Sequence, residues 1–134
     1  MNDNEMKETL STCRTIAVVG ISPKEDRISY GVASYLKSRG YRIIPVRPDG
    51  DRILGEKVYH RLIDIPPEIE IDVVVVFRRS EDVPPVAEEA IQRGAKVVWM
   101  QEGVVNEEAG ARADGAGLKV VMDRCMMKEH QRLL

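Results

Sequence analysis

Residues 72–77 read DVVVVF, and this stretch decides the fold. Its five consecutive apolar residues, Val73 to Phe77, mark a strand buried on both faces, as in a parallel sheet covered by helices. Working outward toward the C-terminus, Ser80 or Asp82 can cap a helix that tolerates Pro84 and Pro85 because they fall in its first turn. Val86, Ala87, Ala90 and Ile91 form its buried stripe, and Gly94 ends it. Residues 96–100 (KVVWM) are the next strand. Asn106, followed by Glu107 and Glu108, reads as an N-cap with acids in the first turn. Ala109 and Ala113 of that helix face inward, and Gly115 or Gly117 stops it. Residues 119–122 (KVVM) are the last strand, and Met126–Leu133 a final short helix.

Toward the N-terminus the same alternation runs in reverse. A brief helical turn ends at Pro66-Pro67, preceded by an extended piece at Lys57–Tyr59 and a turn-rich stretch, RPDGDRILG, at 47–55. Residues 42–46 (RIIPV) are a strand with Pro45 near its end, since proline has no N–H for a ladder. Before it lies a helix from about Tyr30 to Arg39, with Val32, Ala33 and Leu36 on one face and Gly40 at its end. Residues 15–19 (TIAVV) are the first strand, and 1–13 read as a lead-in. A repeating β-α order with short connections implies right-handed crossovers and a doubly wound parallel sheet flanked by helices. The expectation is one α/β domain over residues 1–134.

Composition bounds the function. With 20 Lys+Arg against 22 Asp+Glu, the net charge of −2 leaves no basic footprint for nucleic acid or membrane. Aromatics at 4% are too few for a base-stacking platform. No apolar run approaches the roughly 18 residues of a membrane helix, and the acidic start, MNDNEMKETLSTC, lacks a signal peptide's apolar region. The expected setting is cytoplasmic. Two cysteines and two histidines, Cys13, Cys125, His60 and His130, make neither a disulfide scaffold nor a metal-ligand pattern.

In an open α/β sheet, ligands bind beyond the carboxyl ends of the strands, where strand order reverses. The loops at that edge are Gly20–Ser29, Arg47–Asp51, Arg78–Asp82, Gln101–Val105 and Asp123–Cys125. The first reads GISPKEDRISYG, with no second glycine until Gly31, so a dinucleotide fingerprint is absent. It can still offer backbone N–H groups, the Ser22 hydroxyl and a helix N-terminus to a phosphate, with Lys24 and Arg27 alongside; the alternative is a plain solvated loop. Where an NAD site wants an acid at the end of the second strand, Arg47 stands. Its planar fork suits the phosphate of NADP or the 3′-phosphate of coenzyme A, although a surface arginine is the plainer reading. Of the adjacent Arg78 and Arg79, only one is expected to reach a ligand, because neighbours on an extended chain point to opposite sides. Cys125 precedes the last helix, where a thiolate would be stabilised; a buried inert thiol is the alternative. His130 is five residues on and is not placed to pair with it.

The runs VVGISPKEDRISYGVASYLKSRGYRIIPVRP, ILGEKVYHRLIDIP, VFRRSEDVPPVAEEAIQRGAKVVWMQEGVVNEEA and GLKVVMDRCMMKEH resemble the small stand-alone coenzyme A-binding proteins. The same runs resemble the N-terminal domain of the succinyl-CoA synthetase α subunit. The resemblance covers about residue 14 to the C-terminus, and it implies a Rossmann-like fold that binds CoA or an acyl-CoA along the carboxyl edge. By position, Gly20, Ile21, Ser22, Pro23 and Lys24 match the phosphate loop. Arg47 falls at the adenosine end, where the family often has Asn. Phe77 and Arg78 take the central edge, and Met100, Gln101 and Glu102 the border of the pantetheine arm. The synthetase's phosphohistidine comes from a later region, so neither histidine here takes that role. The leading expectation is a non-catalytic carrier, sensor or regulatory module, with a homo-oligomer or an unknown protein partner left open. The alternatives are a CoA-dependent thiol or acyl-transfer enzyme using Cys125, and an NADP-binding oxidoreductase, which the missing glycines disfavour.

Overall fold

A computed structural model describes residues 1–134. In chain order the elements are α1 (Asp3–Thr12), β1 (Thr15–Val19), α2 (Ile28–Ser38), β2 (Arg42–Val46), β3 (Arg52–Ile53), β4 (Glu56–Lys57), β5 (Val73–Val76), α3 (Val83–Gln92), β6 (Val97–Met100), α4 (Glu107–Gly115), β7 (Lys119–Val121) and α5 (Met126–Leu133). The main sheet has the order β2-β1-β5-β6-β7 and every pairing in it is parallel. The chain therefore builds outward from β1 to β2, crosses back over β1, and continues from β5 to the far edge. The reversal falls between β1 and β5, which fixes where a ligand crevice can open. This is the expected doubly wound Rossmann-like architecture.

The valine run explains itself once β5 is central. All four of its residues are buried, and successive side chains enter opposite cores. Val73 and Val75 join Ile16, Val18, Leu36 and Trp99 beneath α1, α2 and α5. Val74 and Val76 join Ala17, Val19, Ala87, Ala90, Ala109 and Ala113 beneath α3 and α4. A fully buried valine contributes on the order of 1.5–3 kcal/mol, so a charged substitution in β5 would damage both layers through one strand. Alanines on α3 and α4 let these helices approach the sheet closely, and Val83 extends the stripe at the start of α3.

Three local features differ from the sequence expectation. Residues 1–13 are not a mere lead-in: Asn2 and Glu5 form a capping box at the start of α1, and Met6 and Leu10 are buried. That helix is held by Arg132 on Asp3 and by the Tyr41 hydroxyl, which donates to the Leu10 carbonyl. A small antiparallel hairpin, β3 with β4, runs from the turn-rich stretch to Lys57, where the extended piece is expected to begin. Asp82 occupies the N-cap position of α3 but its side chain does not cap; it pairs with Arg79 instead. The Ser80 hydroxyl accepts from the Val105 N–H, tying two edge loops together. As expected, Pro45 lies near the end of β2, opposite Val18. It is tolerated because β2 is the edge strand of the main sheet and residue 45 turns its backbone away from β1, its carbonyl accepting from the Tyr59 N–H. No helix is long and apolar enough to cross a membrane.

Candidate functional site

At the carboxyl edge of β1, the backbone turns sharply at Gly20. Its φ is +87°, and its N–H donates to the Val46 carbonyl at 2.9 Å. The chain here passes so near β5 that a Cβ on Gly20 would lie 2.9 Å from the carbonyl carbon of Phe77 and closer still to its oxygen. Glycine is required for both reasons: the left-handed conformation and the contact between two backbones. The rest of the loop is ordered by its own hydroxyls. The Ser22 N–H donates to the Ser29 Oγ, and the Lys24 N–H donates to the Ser22 Oγ. The Ser22 hydroxyl thus already holds this loop.

A groove of about 510 Å³ opens beside Gly20. It brings together seven of the residues singled out from sequence: Gly20, Arg27, Phe77, Arg78, Gln101, Glu102 and Cys125. It adds Ile28, Ser29, Arg79 and Val104. Ile21, Ser22, Pro23, Lys24, Arg47 and Met100 lie outside its wall. Met100 and Ile21 are buried, so their side chains serve the core. Arg47 is committed elsewhere: its Nη1 donates to the Ile21 carbonyl at 3.1 Å and its Nε to Asp49 at 2.9 Å. It clamps the first loop to the end of β2. A second depression of about 450 Å³ lies beside Val19 and Val46, bordered by His60, Arg61 and Leu62, and Arg78 lines both.

The two adjacent arginines have different surroundings. Arg79 is exposed and bridges Glu81 and Asp82. Arg78 has a buried Nε with no partner. Gln101, only 3% exposed, likewise has a buried Nε2 with no partner. Each orphaned donor costs on the order of 1–3 kcal/mol, a cost relieved when an acceptor enters. The groove is therefore set for an acceptor-rich ligand. The helices reinforce this. α1 and α4 begin with Asn2 and Asn106 capping side chains, whereas α2 and α5, whose first residues or N-cap border the groove, have no side-chain cap. Their free N–H groups and positive dipole ends favour negative charge.

The floor of the groove is rigidly held. The Gly103 N–H donates to Asp123 Oδ1 at 2.7 Å, and the Trp99 indole donates to the Arg124 carbonyl at 2.8 Å. These bonds place Cys125, buried at 4% exposure, at the N-cap position of α5. One turn on, Lys128 pairs with Glu102 at 2.8 Å. That hydrogen bond, and then the carboxylate's charge, raises the Lys128 pKa above its ordinary value. Cys13 is at the opposite edge of the sheet, where burial and then the charge of Asp72 push its thiol up to about 12. His130 is far from any catalytic partner role, accepting or donating a 2.8 Å hydrogen bond with the Tyr35 hydroxyl and stacking edge-on against Tyr35 and Tyr41.

Ile28 and Ser29 lie in the Gly20–Ser29 loop expected at this edge but are not among the residues singled out within it. Ile28 is 79% exposed at the first position of α2, an apolar side chain standing free beside an anion-friendly loop. A lone isoleucine between Arg27 and Ser29 was the available signal. Ser29 carried none, because its role is a hydrogen bond to a loop seven residues away. Val104 lies in an edge loop already expected to form the site.

Residues 14–131 match the family model described as CoA binding domain. The chain is 45% identical over 126 residues to the uncharacterized protein YneT of Bacillus subtilis, covering 94% of this chain and 92% of that one. A hypothetical protein from Pyrococcus horikoshii OT3 superposes with a TM-score of 0.95 at 43% identity, covering 99% of this chain and 92% of the other. The ADP-forming acetate–CoA ligase I subunit alpha of Pyrococcus furiosus is 37% identical over 97 residues, 68% of this chain. That match spans only 21% of the ligase subunit.

Proposed function

The chain belongs to the family of CoA-binding domains, and from that premise we propose that the groove beside Gly20 holds coenzyme A or an acyl-CoA, the protein acting as a carrier, sensor or regulatory module. Arg78 and the uncapped start of α2 would hold phosphate oxygens, since guanidinium and free helix N–H groups both favour anions. Gln101 would donate to a carbonyl of the pantetheine arm. Ile28, Phe77 and Val104 offer apolar surface in the same groove, which Cys125 also lines. CoA supplies a thiol that can carry an acyl group. The observation that carries this reading is the pair of buried donors without partners, Arg78 Nε and Gln101 Nε2, on one groove. Family membership supports CoA as the ligand, and the orphaned donors support docking at this groove.

A thermal-shift series tests it. CoA is expected to raise the midpoint in proportion to ln(1 + [L]/Kd), reaching about 2.7 kcal/mol of stabilisation at a hundredfold excess over Kd. NAD and NADP at equal concentration are expected to leave the midpoint unmoved. A larger shift with NADP than with CoA would overturn the assignment.

A further inference from the structure

We propose that Cys125 is a site of reversible thiolation by the CoA-type ligand, formed by exchange with a CoA disulfide held in the groove. The inference rests on the CoA reading above but assigns a chemistry that reading does not contain. In this step the Cys125 thiolate attacks one sulfur of the disulfide. A new bond forms between Cys125 Sγ and that sulfur, the original S–S bond breaks, and the second CoA leaves as a thiolate that takes up a proton. No other oxidant or reductant is needed, and a free thiol reverses the step.

Three observations support it. Cys125 lines the groove together with Gln101, whose buried amide N–H is unpartnered and therefore favours an acceptor-bearing ligand in the same groove. Cys125 also sits at the N-cap position of α5, where no side chain caps the first turn. A thiolate there can accept from the N–H groups that a serine or asparagine would otherwise serve. The residue is finally held in place by neighbours rather than by its own side chain. Asp123 grips Gly103, Trp99 grips the Arg124 carbonyl, and the Arg124 N–H donates to Met100. Cys13 is an internal reference. It lies at the opposite edge of the sheet, and burial holds it protonated.

The experiment uses the whole protein with two probes at equal concentration, CoA disulfide and glutathione disulfide, read by intact-mass spectrometry and peptide mapping. The expected result is one adduct, with the mass of a CoA less two hydrogens, on Cys125 and removed by excess dithiothreitol. Glutathione disulfide is expected to react at least about tenfold more slowly, because only a bound disulfide is presented at an effective concentration in the millimolar range. Cys13→Ser should keep the CoA adduct and Cys125→Ser should lose it. Equal rates with the two probes, or an adduct on Cys13 alone, would overturn the proposal. Calorimetry with reduced CoA separates the two layers. Binding of reduced CoA without any adduct defeats the thiolation and leaves the CoA reading standing, whereas no binding defeats both.

Discussion

Gly20→Ala tests the hinge of the site with a single methyl group. A Cβ there would lie 2.9 Å from the Phe77 carbonyl carbon, with the Phe77 oxygen nearer still. Neither strand can retreat easily. The Gly20 N–H is bonded to Val46, and the Phe77 N–H donates to the Val19 carbonyl at 2.8 Å. Gly40→Ala supplies the control, because Gly40 has φ +95° but nothing within 4 Å of its would-be Cβ. The left-handed conformation alone costs a residue with a Cβ about 1–2 kcal/mol, and this applies to both variants. Forcing a methyl into filled space adds about 1–3 kcal/mol, and this applies only to Gly20→Ala. At about 3–5 °C per kcal/mol for a domain of this size, Gly40→Ala should lower Tm by roughly 3–10 °C and Gly20→Ala by roughly 6–25 °C. Scanning calorimetry of the two variants beside the parent gives the comparison, and CoA titration of Gly20→Ala should show weakened binding. Equal Tm losses in the two variants would refute the argument, since the close approach to Phe77 would then carry no cost.

Other consequences can be measured in parallel. Arg78→Ala should weaken CoA binding by roughly tenfold to a hundredfold, the loss of about 1.5–3 kcal/mol for a charge-assisted hydrogen bond; a larger loss in Arg47→Ala, whose guanidinium is already tied to Ile21 and Asp49, would move the phosphates away from Arg78. Burial of Asp72 works against its charge, but the Thr15 and Arg14 N–H groups and Lys96 outweigh it and hold its pKa below the ordinary 3.8. Its stabilisation is therefore complete above that value and lost as pH falls through the lower folded one. Asp72→Asn should accordingly flatten the acid limb of a denaturation series below about pH 4, and an unchanged limb would count against the Asp72 network. Burial, and then the charge of Arg39, keeps His130 neutral below its ordinary 6.5. The unfolded chain takes up that proton first, so stability should begin to fall as pH drops through about 6.5; His130→Asn should remove this dependence in urea melts at successive pH values.

The fold was legible because its signals are local and one-dimensional. Val73–Val76 have no polar face, so they require cover on both sides, and the strands and helices around them follow in short alternation. β1, β2 and α5 fall where the apolar patterning puts them. The helix α1 was hidden because only Met6 and Leu10 enter the core, and the rest of its surface is polar. The hairpin β3–β4 was hidden by its length, two residues a strand, too short for any periodicity. Pro45 falls near the end of β2 as read, because a residue without an N–H is confined to strand ends and edge strands.

The site was less legible because a side chain's availability depends on partners distant in sequence. Arg47, Arg78 and Arg79 are alike as letters. Arg47 is spent on a carbonyl 26 positions away, and Arg79 on acids two and three positions on. Only Arg78 keeps a buried donor free, and this follows from the approach of Gly20 to the end of β5 across the sheet's reversal point. Gln101 is a parallel case: an amide after a buried strand reads as a solvated loop residue until the fold covers it and leaves its Nε2 without a partner. A reading from sequence can name the loops that meet at the carboxyl edge, because topology dictates them. Which donors remain free within those loops is decided by closure of the core. Under the proposed CoA reading, a ligand that meets Arg78 and Gln101 together lies across the adjacent carboxyl ends of β5 and β6, where the two donors share one groove.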